Sequence, residues 1–289
     1  LNVDKTVTAV QTGIVGFALY VDTLPGADTN FLEFRESAIL HVAIRLNAAG
    51  TISALRSTTV LGTSTNTIAA GAYNYIEVKA RIDESPNGTV EVRVNGTNSG
   101  WLNLTAQDTQ NAGTAVFNTL RFNAASSRIY DYDDLYVCDT AGGAPNNDFL
   151  GDIRVDFYGV TGNGAVNQFA RSSGSANYEM VDDATPDGDS TYVYDSIPNR
   201  QELYNVADMT HTPLTIMGIQ GIVSARKSDA GSRTHQPLIR SGSTIYPGSA
   251  VNLSTTYAMY ADIRGTDPDT AAAWTSGGVN AVQVGSEVD

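Results

Sequence analysis

The stretch "DYDDLYVCD", Asp131 to Asp139, gathers four acids around strand-forming residues and the only cysteine of the chain. Carboxylates so close could serve as an acid–base pair, as ligands for a hard cation, or as acceptors that hold a strand end to a nearby turn. On a regular strand, alternate residues face opposite ways. Asp131 and Asp133 would then share a face with Leu135 and Val137, and Asp134 would share the other with Tyr132, Tyr136 and Cys138. Asp133 and Asp134 would straddle the sheet, a poor arrangement for flanking one scissile bond unless a bulge re-aims one of them. Two readings stand: local capping of backbone N–H groups, or calcium held by Asp133 and Asp134 at a loop rim, where hard cations collect oxygens.

Other candidates are sparser. "VDDATPDGDS", with Asp182, Asp183, Asp187 and Asp189, lacks the spacing and closing Glu of a calcium loop and reads as a solvated turn. His41, His211 and His235 form no H-x-H or H-E-x-x-H cluster, so zinc is not expected and they read as exposed or locally hydrogen-bonded. There is no G-x-S-x-G, phosphate-cradling loop or C-x-x-C. Trp101, after "NGTNSG", is placed to stack on a sugar or to pack a rim, and Trp274 in "AAAW" reads as a core anchor. No catalytic residue is assigned, and no cofactor beyond calcium.

These side chains are positioned by strands. The chain has 289 residues, 42% hydrophobic but only 17% charged, with 27 glycines. That composition suits short strands joined by polar turns. In "YIEVKARID", Ile76, Val78, Ala80 and Ile82 alternate with Glu77, Lys79 and Arg81, and in "TVEVRVNG", Val90, Val92 and Val94 alternate with Glu91 and Arg93. Pro86 and Asn87-Gly88 lie between, so the pair reads as a β-hairpin with one wet face. "HVAIRLN", "GFALYVDTL" and "TLRFNAA" add strands. The segment 139–149 is small, polar and turn-rich and marks a boundary. Beyond it, "GDIRVDFYGV" alternates like a strand, "LTIMGIQGIVSARK" reads as a strand buried on both faces, "PLIRSGSTIYPG" as a hairpin, and a helical turn is expected around Ala271 to Trp274. A faint strand–turn–strand repeat links the halves. The expectation is an all-β protein of two tandem β-sandwich units, 1–140 and 151–289, with 141–150 as linker.

A net charge of −14 would repel nucleic acid and anionic membranes, and no apolar run is long enough for a membrane span, so neither partner is expected. One cysteine excludes an intrachain disulfide. The N-x-S/T sequons at Asn87, Asn95, Asn103 and Asn252 are matches expected by chance in such a composition, two of them reading as turns. The start at Leu1, without Met, reads as a trimmed product whose sheet something else completes.

Two resemblances follow. "YNYIEVKARIDESPNGTVEVRVNGT" and "FNTLRFNAASSRIYDYDDLYV" resemble the concanavalin A-like, laminin-G-like jelly-roll, over about Gly13 to Asp139. The E-x-D-x-x-E strand of the glycosidase branch is missing, so that activity is not carried over. "DDLYVCDTAGGAPNNDFLGDIRV", "VDDATPDGDSTYV" and "DPDTAAAWTSGGVNAVQVG" resemble structural proteins of tailed-bacteriophage virions. The resemblance implies a non-enzymatic structural or adhesive part on the virion surface, tail-associated or head-decorating. It would be present in several copies and contact other virion proteins. The alternative is a lectin-like module for host surface glycans, with Trp101 as its stacking residue.

Overall fold

The structure, a computed structural model, describes residues 2–125 and 128–289; Leu1, on which the trimmed-start expectation rests, lies outside them. The chain is all-β and divides into two compact units, Leu1–Val155 and Asp156–Asp289. Among the described residues no helix is long and apolar enough to cross a membrane.

The first unit runs through β1 (Asn2–Val10), β2 (Thr12–Val21), β3 (Thr29–Glu36), β4 (Ile39–Leu46), β5 (Thr51–Arg56), β6 (Thr59–Thr67), β7 (Tyr73–Arg81), β8 (Gly88–Val94), β9 (Thr97–Gln107), β10 (Phe117–Asn123) and β11 (Tyr130–Asp139). A six-stranded sheet, β1-β10-β3-β4-β5-β6, and a five-stranded sheet, β11-β2-β7-β8-β9, enclose one core, the sandwich expected from the alternation. The inward residues are those the period of two selects: Val15, Phe17, Leu19 and Val21 on β2, Ile76, Val78 and Ala80 on β7, and Val90, Val92 and Val94 on β8. Phe17 meets Phe122 edge-on at 5.7 Å, and Phe34 meets Phe117 at 5.0 Å, the T-shaped geometry that ring quadrupoles favour. The β8–β9 hairpin turns on Asn95 and Gly96, both at positive φ (51° and 80°), the turn whose twist matches the strands.

The second unit comprises β12 (Val160–Asn167), β13 (Ala170–Arg171), β14 (Val193–Tyr194), β15 (Gln201–Val206), β16 (Ile219–Ala225), β17 (Thr234–Ser241), β18 (Thr244–Pro247), β19 (Val251–Asn252), β20 (Ala258–Arg264) and β21 (Gln283–Val288), with a 3-10 turn at Tyr178–Met180 and one short α-helix, α1 (Ser276–Asn280). The larger sheet has the order β12-β15-β21-β17-β18, with β19 also on β17; β16-β20 and β13-β14 form two-stranded ribbons. Its small core gathers Ile239, Trp274 and Val282, with Ile216, Ile219 and Val284 against them. Trp274 is buried as expected, and its indole N–H donates to the Arg264 carbonyl at 2.9 Å.

Several expectations are corrected. "GDIRVDFYGV" forms no strand until Val160; Val155 and Phe157 are exposed. The segment "VTGNGAVN", mostly polar and without apolar alternation, is nevertheless a strand, β12. The helical turn lies at Ser276–Asn280, capped by the Thr275 hydroxyl, which accepts from the Gly278 N–H at 3.0 Å. "GIQGIVSA" is not buried on both faces: β16 pairs only with β20, and Ile222 is exposed. Apolar side chains alone cannot tell a central strand from a ribbon whose second face has no cover.

Candidate functional site

The acids of the opening stretch sit on β11, and a bulge decides where they point. Asp133 pairs with Ala18 and Tyr136 with Gly16, so Asp134 and Leu135 together oppose Phe17 alone. Asp134 takes a positive φ of 52°, tolerable for Asp because its short side chain bonds locally. The extra residue reverses the face parity. Tyr132 and Val137 turn towards the β2 residues of the inner face, Leu19 and Val15, whereas Asp131, Asp133, Tyr136 and Cys138 lie opposite the outward Tyr20, Ala18, Gly16 and Ile14. The alternation drawn through Leu135 and Val137 is therefore wrong beyond Asp133.

The outward face is not wet where the hairpin pattern expected it to be. Residues 148–155 cross it as a strap. Phe149, Leu150 and Ile153 pack on Ile14, Ala18, Tyr75 and Tyr136. Glu77, on the face read as solvated, is only 1% exposed. Its Oε1 accepts from the Tyr136 hydroxyl at 2.5 Å and from the Gly151 N–H at 2.8 Å, while the Leu150 N–H donates to the Tyr136 oxygen at 3.1 Å. A buried carboxylate requires such donors. Burial and the neighbouring Glu77 carboxylate push the Tyr136 hydroxyl far above its ordinary pKa, so it stays protonated and donates. Burial also pushes the Cys138 thiol up to about 11, so it is not an activated thiolate. Lys79 reaches Asp148 at 3.1 Å, and the Arg93 guanidinium lies 4.0 Å from the Phe149 ring centre. Residues 148–150, expected as part of a linker, thus belong to the packing of the first unit.

Where the strap passes β11, an open hollow of about 280 Å³ is lined by Ala18, Tyr73, Tyr75, Asn95, Asp133, Asp134 and Asp152. Tyr73 is 56% exposed and its ring lies 5.4 Å from that of Tyr20, making an aromatic pair at the rim. Asp133 accepts the Asp134 N–H through Oδ1 at 2.8 Å, and Asp134 accepts the Val155 N–H through Oδ1 at 2.7 Å. The capping role of the two acids is therefore present, with one oxygen of each outside these bonds. Asp152 brings a third carboxylate to the hollow. Among the described residues no group of three or more His, Cys, Asp or Glu is arranged to hold a metal ion.

Trp101 is not at this hollow. It lies on β9, half-buried against the core, near where β9 meets β6 through Asn66, whose side-chain amide donates to the Ser99 carbonyl. The structure thus joins Asp133 and Asp134 with Tyr73, Tyr75, Asn95 and Asp152, none of which the sequence marked as a ligand-site candidate, and leaves Trp101 apart. Only the closely spaced aromatics of "AYNY", of which Tyr73 is exposed and Tyr75 buried, offered a signal for the missed residues. In the Asp182–Asp189 loop, Asp187 and Asp183 accept from the Thr191 hydroxyl and Asp189 pairs with Arg226 at 2.8 Å, as suits a solvated turn. His211 is half-buried and pairs with Asp156 at 3.0 Å. His41 and His235 are buried rather than exposed, each with a local hydrogen bond.

No protein-family model matches the chain, and no curated protein matches it significantly. Solved structures do. An endo-β-1,4-glucuronan lyase from the fungus Trichoderma reesei shares 13% identity at a TM-score of 0.36, over 47% of this chain and 72% of the lyase. A sialidase shares 14% at 0.33, over 54% of this chain and 12% of the sialidase, and the alginate lyase AlgAT5 of Polysaccharide Lyase family 7 shares 14% at 0.32, over 44% and 58%. The match spans less than two thirds of the latter two proteins. The likeness is one of β-sandwich fold, and no phage protein is among these neighbours. These three neighbours are carbohydrate-active enzymes, and the expectation that this chain is not an enzyme is withdrawn.

Proposed function

We propose that this protein binds glycans at the hollow on the outer face of the five-stranded sheet. The observation that supports the reading is the juxtaposition of the exposed Tyr73, whose ring meets that of Tyr20, with Asn95, Asp133, Asp134 and Asp152. An aromatic face takes the apolar C–H side of a sugar ring, and fixed oxygen acceptors take its hydroxyls; one apolar wall with a few polar groups is the usual makeup of a small-ligand site. Three carboxylates also set a charge rule. An acidic sugar would bring a like charge against them, so neutral or amine-bearing glycans fit and uronates or sialates do not. The virion setting belongs to the same proposal: the chain would be presented on a phage particle, in the tail or on the head, with other virion proteins as partners and host surface glycans as ligands. The sequence resemblance supports that part.

The test is titration of the purified protein with neutral, amine-bearing and acidic oligosaccharides. Neutral or amine-bearing sugars should bind, and both Tyr73→Ala and Asp152→Asn should weaken binding at least ~10-fold, about 1.4 kcal/mol. Binding of acidic sugars alone, or unchanged affinity in both variants, would refute the site. Loss of binding in Trp101→Ala with Tyr73→Ala unaffected would move the ligand to β9. Appearance of cleaved product in the same tubes would add catalysis to binding.

A further inference from the structure

We propose that docking of the strap and glycan binding at the hollow depend on each other, with Glu77 as the positioning residue that links them; the inference rests on the glycan reading of that hollow. The strap belongs to neither sheet of the first unit, and among the described residues no strand pairs with it. Backbone amides given to side chains fasten it. Leu150 donates to the Tyr136 oxygen at 3.1 Å, Gly151 to Glu77 Oε1 at 2.8 Å and Val155 to Asp134 Oδ1 at 2.7 Å. With no ladder to hold part of it, the strap opens and closes as one unit, together with the apolar contacts of Phe149, Leu150 and Ile153.

The carboxylates of the hollow stand on both sides of this seam. Asp152 belongs to the strap, next in the chain to Gly151, and lines the hollow while the strap is down. Asp134 belongs to β11, lines the same hollow and holds Val155. A sugar bonded to Asp152 and to the β11 acids bridges strap and sheet. Linkage makes the effect reciprocal: whatever frees the strap lowers the affinity, and a bound sugar holds the strap down.

Glu77 acts through the strap, since it is buried and does not line the hollow. Its Oε1 takes both the Gly151 amide and the Tyr136 hydroxyl, and Tyr136 in turn takes Leu150. One buried oxygen thereby fixes the two residues that precede Asp152, through charge-assisted bonds that are the stronger kind. Gly151 gives a second handle. Its φ of +82° disfavours any side chain, yet a Cβ there would meet nothing within 4 Å. Alanine at 151 therefore opposes the docked strap by backbone strain alone and leaves the walls of the hollow as they are.

Hydrogen exchange of the whole chain, read on the peptide that spans 148–155, measures docking. Titration with cellotetraose, which is neutral, and a chitosan tetrasaccharide, which bears amines, measures binding. Glu77→Leu and Gly151→Ala should each speed strap exchange and weaken the sugar about 10-fold, with β7 and β8 still protected. Glu77→Gln keeps an oxygen at that place and should restore both to within about 3-fold. In the wild type, sugar at ~100 times its Kd should slow strap exchange up to ~100-fold, a response that a merely structural carboxylate would not produce. Should Glu77→Leu unfold the first unit, Gly151→Ala carries the comparison. Sugar that binds the strap variants as tightly as the wild type, or leaves strap exchange unchanged, overturns the inference while the glycan site stands. Binding of neither sugar, with strap exchange still answering to both variants, overturns the glycan reading and the coupling with it.

Discussion

Acidification should destabilise the second unit through one histidine. His235 is 4% exposed, its ring packs edge-on against Tyr260 at 4.7 Å, its Nδ1 meets the Ser286 hydroxyl at 3.0 Å, and its Nε2 has no hydrogen-bond partner. Burial lowers its pKa from 6.5 to about 4. Above pH 6.5 the imidazole is neutral in both folded and unfolded chains, and the stability it permits is fully present. As pH falls from 6.5 towards 4, the unfolded chain takes up a proton that the folded chain refuses, and stability drains away; below about 4 the loss is complete. At about 1.36 kcal/mol per pH unit across that gap, the loss is roughly 3 kcal/mol, of which about 2 has gone by pH 5. Glu202, buried where it accepts the Phe169 N–H at 2.9 Å and the Asn177 amide at 2.9 Å, has its pKa raised and works in the opposite sense, so the total slope understates His235. The comparison must therefore be with His235→Asn, whose amide cannot titrate. Each unit holds one tryptophan, Trp101 in the first and Trp274 in the second, so a Trp101→Phe background makes fluorescence report the second unit alone. Urea unfolding at several pH values between 7 and 4 should show the parent losing roughly 3 kcal/mol more than the Asn variant. Parallel pH curves for the two proteins would refute the reasoning.

Gly16→Ala should strike the strap through Tyr136: a Cβ there would lie 2.0 Å from the ring's Cε1, so the ring and its bonds to Glu77 and Leu150 must shift, at about 1–3 kcal/mol of first-unit stability read by Trp101 fluorescence. Because the strap carries Asp152 to the hollow, the same variant should also weaken glycan binding, and unchanged stability with unchanged binding would show that the strap is not held this way. We propose, beside the glycan reading, that Asp133 and Asp134 hold calcium, which should raise the first unit's melting midpoint in a millimolar series, an effect a chelator reverses; a melting curve indifferent to both removes the metal.

The sequence by itself determined the all-β class, the inward faces of β7 and β8, the turn through Pro86 and Asn87 between them and the burial of Trp274, because each follows from a local period or a local backbone preference. It also placed acids at a strand rim. Only the tertiary structure decided which way those acids face, since one bulged residue, Asp134, reverses the parity that alternation assumes and leaves no mark in a pattern of residue types. The same holds for Glu77. Its place on the polar side of an amphipathic strand was legible, but a strap more than 70 residues later in the chain turned that side into a buried one. The β16 run errs in the other direction, its apolar residues reading as a buried strand when the fold supplies a cover for only one face. Period and composition report what a residue prefers; the strap, the bulge and the uncovered ribbon depend on which distant segment arrives to meet it, and that is a property of the folded chain alone.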